Sequence, residues 1–198
     1  MNKIDKKFVE DYVFNAQHNL EVPKMGGTDW RFTERIAPAF YDILDITKAE
    51  NILEIGFNVG GSALMFLSIK PDLAYFSVDI NRSEKSIDFL AEMFLGFYFT
   101  QADSKELVVR EGQEGIYDLV FIDGDHTPEG VTADINVALK YKPAYILFDD
   151  VRHPSHSYIE KIITEDYADK LEVVKMYEFN DLWEGYSMAL CKVKNNNT

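Results

Sequence analysis

Residues 51–62 read NILEIGFNVGGS, and the reading of this stretch decides the fold. Its first half is a short, unbroken apolar run. Its second half places Gly56, Gly60 and Gly61 ahead of Ser62, where an apolar helical pattern, GSALMFLSI (61–69), begins. A run that is apolar without alternation suits a strand covered on both faces of a parallel sheet. The same kind of run recurs further along as AYFSVD (74–79), FYFTQAD (97–103), YDLVFID (117–123) and AYILFDD (144–150). Helical patterns lie between and after these runs: SEKSIDFLAEMF (83–94), a weaker SKELVVREG (104–112), PEGVTADINVALKYK (128–142) and SYIEKIITEDYADK (157–170). Strand and helix in alternation mean βαβ units with right-handed crossovers, so the expected class is α/β, a doubly wound, mostly parallel Rossmann-like sheet.

The alternation then stops. LEVVKMYEF (171–179) and YSMALCKVK (186–194), joined by NDLWEG, read as a hairpin, which brings the sheet to seven strands with an antiparallel strand at its C-terminal edge. Upstream of residue 51 the chain is helical in two pieces, over residues 4–20 and about 29–46, separated by EVPKMGGT, with Thr28 or Asp29 as the cap of the second. The expected organisation is a helical extension over 1–50, serving as lid, acceptor or dimer region, a Rossmann-like domain over 51–194, and a frayed tail, 195–198.

Composition narrows the function. With 20 Lys and Arg against 34 Asp and Glu the net charge is −14, which disfavours partners held by phosphate neutralisation, nucleic acids above all. No apolar run reaches the roughly 20 residues that a membrane-spanning helix needs. The single cysteine, Cys191, forms no internal disulfide, and a reducing, cytoplasmic setting is expected.

In open parallel sheets ligands bind beyond the carboxyl ends of the strands. Glu54, Gly56, Gly60 and Ser62 occupy the first such end. Glycines there allow a tight turn and close approach to a ligand, although a tight turn needs no ligand to exist. A dinucleotide fingerprint would require glycine at position 58, where this chain has Asn58, so the pattern is E-x-G-x-x-x-G. Asp79 ends the second strand, placed to accept ribose hydroxyls; Asp103 and Ser104 end the third, where the acid meets an adenine amino group or caps the next helix. In FIDGDH (121–126), Asp123, Asp125 and His126 leave the fourth strand, and Asp149 and Asp150 leave the fifth. Asp123, Asp149 and Asp150 can converge above adjacent strands, and hard oxygen donors suit Mg2+, with Mn2+ or Ca2+ as alternatives. Taken singly, each acid is also explained as a helix cap or turn former.

LEIGFNVGGS, the strand end at Asp79, QADS, FIDGDH and ILFDD, in this order and at these distances, resemble the class I S-adenosylmethionine-dependent methyltransferases. More narrowly they resemble the metal-dependent O-methyltransferases of the macrocin O-methyltransferase and cephalosporin hydroxylase-like group, over about residues 30–194. The resemblance implies that Glu54, Gly56 and Gly60, with Ser62 at the helix start, surround the methionine portion of S-adenosylmethionine. It further implies that Asp79 holds the ribose, that Asp103 and Ser104 flank the adenine, and that Asp123, Asp149 and Asp150 ligate the divalent metal. Asp125 or His126 would be the base beside a hydroxyl of a small-molecule or sugar acceptor. Small enzymes of this type are often homodimers.

The chain departs from the group's pattern at Pro128, where an aromatic residue is common, and it has no lysine closely following Asp123. His153 and His156 belong to a loop, where histidines are usually solvated. Trp30, Phe32 and Trp183 are expected either to line an acceptor pocket or to pack in the core or a dimer interface. A non-catalytic nucleoside-cofactor-binding protein of the same fold is the alternative from another class, and a nucleotide-dependent oxidoreductase is the weaker one, given Asn58.

Overall fold

The computed structural model describes residues 30–182 and 184–194, with side chains from Arg35 onward in the first helix. The helix expected over 4–20, the cap at Thr28 or Asp29, the side chains of Trp30 and Phe32, Trp183 and the tail 195–198 lie outside the described residues.

The chain runs α1 (Trp30–Thr47), β1 (Asn51–Ile55), α2 (Gly61–Ile69), β2 (Ala74–Asp79), α3 (Glu84–Met93), β3 (Phe97–Gln101), β4 (Leu119–Ile122), α4 (Pro128–Lys140), β5 (Tyr145–Phe148), α5 (Tyr158–Lys161), β6 (Leu171–Glu178) and β7 (Ser187–Val193). The seven strands form one sheet in the order β3-β2-β1-β4-β5-β7-β6. The first five are parallel, and β7 runs antiparallel between β5 and β6. This is the Rossmann-like doubly wound sheet with an antiparallel hairpin that the strand runs imply. The direction of winding reverses between β1 and β4, so a crevice opens at their carboxyl ends.

Because side chains alternate across a strand, each central strand feeds two cores. Ile52, Leu119 and Phe121 join Phe40, Ile43, Phe66 and Leu90 of α1 to α3 on one face. Leu53, Ile55, Val120 and Ile122 join Val131 and Ile135 of α4, Ile159 of α5 and Ile163 just after it on the other. Phe66 is the hub of the first core, its ring 4.6 Å from Phe40 and 5.7 Å from Tyr75. Burying an aromatic side chain of this size contributes about 2–3 kcal/mol, so α1 is anchored to the sheet through Phe40 and Ile43. Cys191 sits fully buried on β7, where burial pushes its thiol up to about 12. Among the described residues no helix is long and apolar enough to cross a membrane.

Two segments differ from the sequence reading. Residues 104–112 make only one turn of 3-10 helix, Ser104–Glu106. Beyond it Leu107 and Val109 pack on the second core while Val108 is 74% exposed, an alternation of two that fits extended chain rather than helix. The helix expected over 157–170 is α-helical only as α5 and then widens into a π-helical turn, Ile162–Asp166, closed by the Tyr167 N–H on the Ile162 carbonyl at 3.0 Å. The wider turn keeps Ile159, Ile162, Ile163 and Tyr167 buried together.

Candidate active site

The crevice is a cleft of about 750 Å³ along the carboxyl ends of β1 to β4, and its lining includes Gly56, Asp79, Asp103, Ser104, Asp123, Asp125 and His126. Glu54, Gly60 and Ser62 are not part of this lining, nor are Asp149 and Asp150, which follow β5.

Over β1 to β3 the polar groups are tied to one another. Glu54 is fully buried; it accepts hydrogen bonds from the hydroxyls of Ser62 and of Ser77, the latter at 2.6 Å. Burial outweighs those bonds and raises its carboxyl to about 7. Asp79 accepts the backbone N–H groups of Phe57 and Asn58, both at 2.8 Å on one oxygen, and that of Asn81 at 2.7 Å on the other. The glycine-poor position in the loop, Asn58, adopts φ 48°, a left-handed conformation that asparagine tolerates better than most residues. Gly56 has φ 97°, and a Cβ there would lie 2.0 Å from the carbonyl oxygen of Asp123, so only glycine lets the β1 loop lie against the end of β4.

On the third strand end, Asp103 caps the short 3-10 turn by accepting the Lys105 N–H at 2.9 Å. Ser104 donates its hydroxyl at 2.5 Å to Asp134, a residue of α4 that is 2% exposed and lines the cleft. Burial raises the Asp134 carboxyl to about 6. Nothing in the sequence marks Asp134 as a cleft residue; its position inside the apolar α4 pattern was the one available signal.

Over β4 and β5 the polar groups are crowded and poorly partnered. Asp123 is pushed well above the usual carboxylate range by burial and by the carboxylates of Glu54 and Asp150. Asp149 is raised in the same way by burial, then by Asp123 and Asp150, and it shares a hydrogen bond with the buried Tyr186. Asp150 holds φ 53°. Four buried atoms here lack any hydrogen-bond partner: Nε2 of His126, Oδ1 of Asp149, Oδ1 of Asp150 and Nδ1 of His156. His126 Nε2 is 3.5 Å from Asp123, and His156 Nδ1 is 3.8 Å from Asp150. Three acids that disfavour one another and oxygen atoms without donors fit a bound cation.

Asp125 is directed elsewhere. Its carboxylate accepts the Thr127 N–H at 3.0 Å, a bond that holds it below the usual range. Thr127 caps α4 by accepting the Gly130 N–H at 3.0 Å, with Pro128 in the first turn, where its missing N–H costs nothing.

The loop after β5 brings in side chains to which sequence reasoning gave little weight. The His156 ring packs at a tilt, its centroid 4.7 Å from that of His126 and 4.9 Å from that of His153, and burial lowers its pKa. This loop is fixed in place. Val151 is fully buried, Arg152 pairs with Glu160 and Glu178, the Arg152 N–H bonds the Ser187 hydroxyl at 2.9 Å, and the Tyr158 hydroxyl bonds the His126 carbonyl. The apposition of residues 126 and 156 comes from adjacent strand ends and is invisible in linear spacing.

A family model described as a methyltransferase domain matches residues 53–151. No curated protein matches the chain. Among solved structures, an O-methyltransferase from Bacillus cereus in complex with SAH is 22% identical, covering 96% of this chain and 93% of that one at a TM-score of 0.66. The O-methyltransferase from Streptomyces achromogenes involved in tomaymycin synthesis, in complex with SAM, is 18% identical over 94% and 90% at a TM-score of 0.63. A 1,6-didemethyltoxoflavin-N1-methyltransferase from Burkholderia thailandensis, with bound 1,6-didemethyltoxoflavin and S-adenosylhomocysteine, is 12% identical over 99% and 92% at 0.65. At these identities the three structures speak for the fold.

Proposed function

The chain belongs to the methyltransferase-domain family, and from that premise we propose that it transfers the methyl group of S-adenosylmethionine to a hydroxyl of a small molecule or sugar, with the help of a divalent cation. One observation carries this reading: a cleft of nucleoside-ligand size runs from a self-satisfied rim over β1 to β3 to Asp123 and His126, and the His126 ring lies 4.7 Å from that of His156 in the unsatisfied cluster that follows β5.

Each side chain has a task under this reading. The loop of Glu54, Gly56 and Gly60, held by the Ser62 bond to Glu54, bounds the methionine end of the cofactor. Asp79 spends three of about four carboxylate lone-pair sites on backbone N–H groups. It therefore keeps room for one ribose hydroxyl. Asp103 and Ser104 border the adenine end, with Asp134 fixing the Ser104 hydroxyl. Asp123, Asp149 and Asp150 hold the cation, whose charge relieves their mutual repulsion.

Methyl transfer from a sulfonium is a displacement at carbon, so the acceptor oxygen must be held in line and lose its proton. A bound divalent cation supplies Lewis acidity that makes such a hydroxyl easier to deprotonate. Asp125 and His126, which line the cleft, are the two groups available to take the proton. The low charge of the acceptor is favoured by the acidic surface, with a net charge of −14.

Thermal unfolding with S-adenosylhomocysteine, NAD and Mg2+, singly and together, tests the reading. S-adenosylhomocysteine at a hundred times its dissociation constant should raise the unfolding temperature by about 5–10 °C, and NAD should leave it unchanged. No shift with saturating S-adenosylhomocysteine would sink the proposal.

A further inference from the structure

We propose that the cation of this chain is bound through nitrogen as well as oxygen: Nε2 of His126, a carboxylate oxygen of Asp150 and Nδ1 of His156 form a site for a divalent first-row transition ion in preference to Mg2+. The inference rests on the reading of a cation-assisted enzyme above and changes the donors. Of the three acids expected as ligands it keeps Asp150 at the centre of the site.

Convergence is the first support. One ligand atom from each of His126, Asp150 and His156 lies within 4.8 Å of the other two. Two donors about 2.1 Å from one ion stand about 3 Å apart in cis and about 4 Å apart in trans. Small side-chain rotations therefore close the set. Asp123 and Asp149, by contrast, bond each other, and Asp149 also bonds Tyr186. Of those two acids only Asp149 keeps an unbonded oxygen, Oδ1.

The second support is independent of spacing. Nε2 of His126, Nδ1 of His156 and Oδ1 of Asp150 are each shut off from solvent without a hydrogen bond. A buried polar atom left unbonded costs about 1–3 kcal/mol, and three at one place call for a shared partner. A single water has two protons to donate. One cation, however, satisfies two imidazole lone pairs and a carboxylate together. The two loops that carry the set are joined by the Tyr158 hydroxyl on the His126 carbonyl, and the second loop is pinned by Arg152 between Glu160 and Glu178. The donors are held ready.

Donor chemistry names the ion. Two imidazoles and one carboxylate, with positions left open, suit Mn2+, Fe2+, Co2+ or Zn2+, whereas Mg2+ prefers oxygen donors throughout. Asp123, 3.5 Å from His126 Nε2, adds negative charge beside the site. With His126 engaged in this way, Asp125 is the group left for the acceptor proton.

The full chain, stripped of metal with chelator and titrated with Co2+, tests the assignment. Nitrogen ligation gives a visible absorption distinct from that of the aqueous ion, and Mg2+ in large excess leaves it in place. His126→Gln and His156→Gln each weaken Co2+ binding by about tenfold or more. Electron spin echo of the unmutated protein with Mn2+ shows coupling to imidazole nitrogen, a readout that needs no variant to fold. Absence of that coupling, or His variants within about twofold of the parent while Asp123→Asn and Asp149→Asn abolish binding, overturns the proposal. S-adenosylhomocysteine binding, measured on the same samples, judges the methyltransferase reading separately.

Discussion

The two halves of the cleft are built on opposite terms. Over β1 to β3, Glu54 and Asp79 have their oxygens occupied by hydroxyls and backbone N–H groups, and the loop is finished before any ligand arrives. Over β4 and β5, Asp123 is raised by burial and by Glu54 and Asp150, Asp149 by burial and by Asp123 and Asp150, and atoms of His126, Asp150 and His156 face one another unbonded. Under the proposed function the first half suits a ligand that needs shape, and the second suits one that brings charge.

Gly56 is the seam between the halves, and breaking it should have the largest effect. In Gly56→Ala the new Cβ would meet the Asp123 carbonyl oxygen at 2.0 Å with φ at 97°. The expected loss is about 4 kcal/mol of stability, read by denaturant unfolding, together with loss of S-adenosylhomocysteine binding.

The next test sharpens the contrast through pH. Glu54 is raised from 4.5 to about 7 in the folded chain, so between those values the native state holds more protons than the unfolded one. Its contribution is therefore fully present below pH 4.5 and is lost as pH rises through about 7, by up to about 3 kcal/mol. Glu54→Gln should flatten this slope in a series of denaturant midpoints. An unchanged slope would mean that the first half carries no such strain.

The smallest effect has the reverse sign. Removing a charge from the second half should stabilise the metal-free protein: Asp123→Asn is expected to gain about 1 kcal/mol without added cation, and to keep most of the extra stability that divalent cation gives the parent. A destabilised metal-free Asp123→Asn would show that the second half is as self-satisfied as the first.

Much of the first half was legible in the chain, because strand ends and tight turns are written in neighbouring residues. Unbroken apolar runs ending in Gly or Asp gave five parallel strands, and NDLWEG between two runs gave the hairpin. The partner of that hairpin was less accessible, since insertion of β7 between β5 and β6 depends on which edge is already covered. Residues 104–112 misled because Leu107 and Val109 are apolar for an extended segment, not for a helix face. The second half was half legible. FIDGDH and FDD marked the acids, but His156 meets His126 only because β4 and β5 are adjacent, and Asp134 reaches the cleft from within a helix. Contacts made by strand order leave no mark on local spacing.

The buried thiol of Cys191 has a practical consequence. It is the chain's single cysteine, fully covered between β5 and β6, with its ionisation pushed up to about 12. A folded molecule therefore offers alkylating reagents almost no thiolate, and modification must wait for the sheet to open. The rate at which a thiol reagent labels this protein is a clock for that opening, and cofactor or cation that holds the sheet closed will slow it.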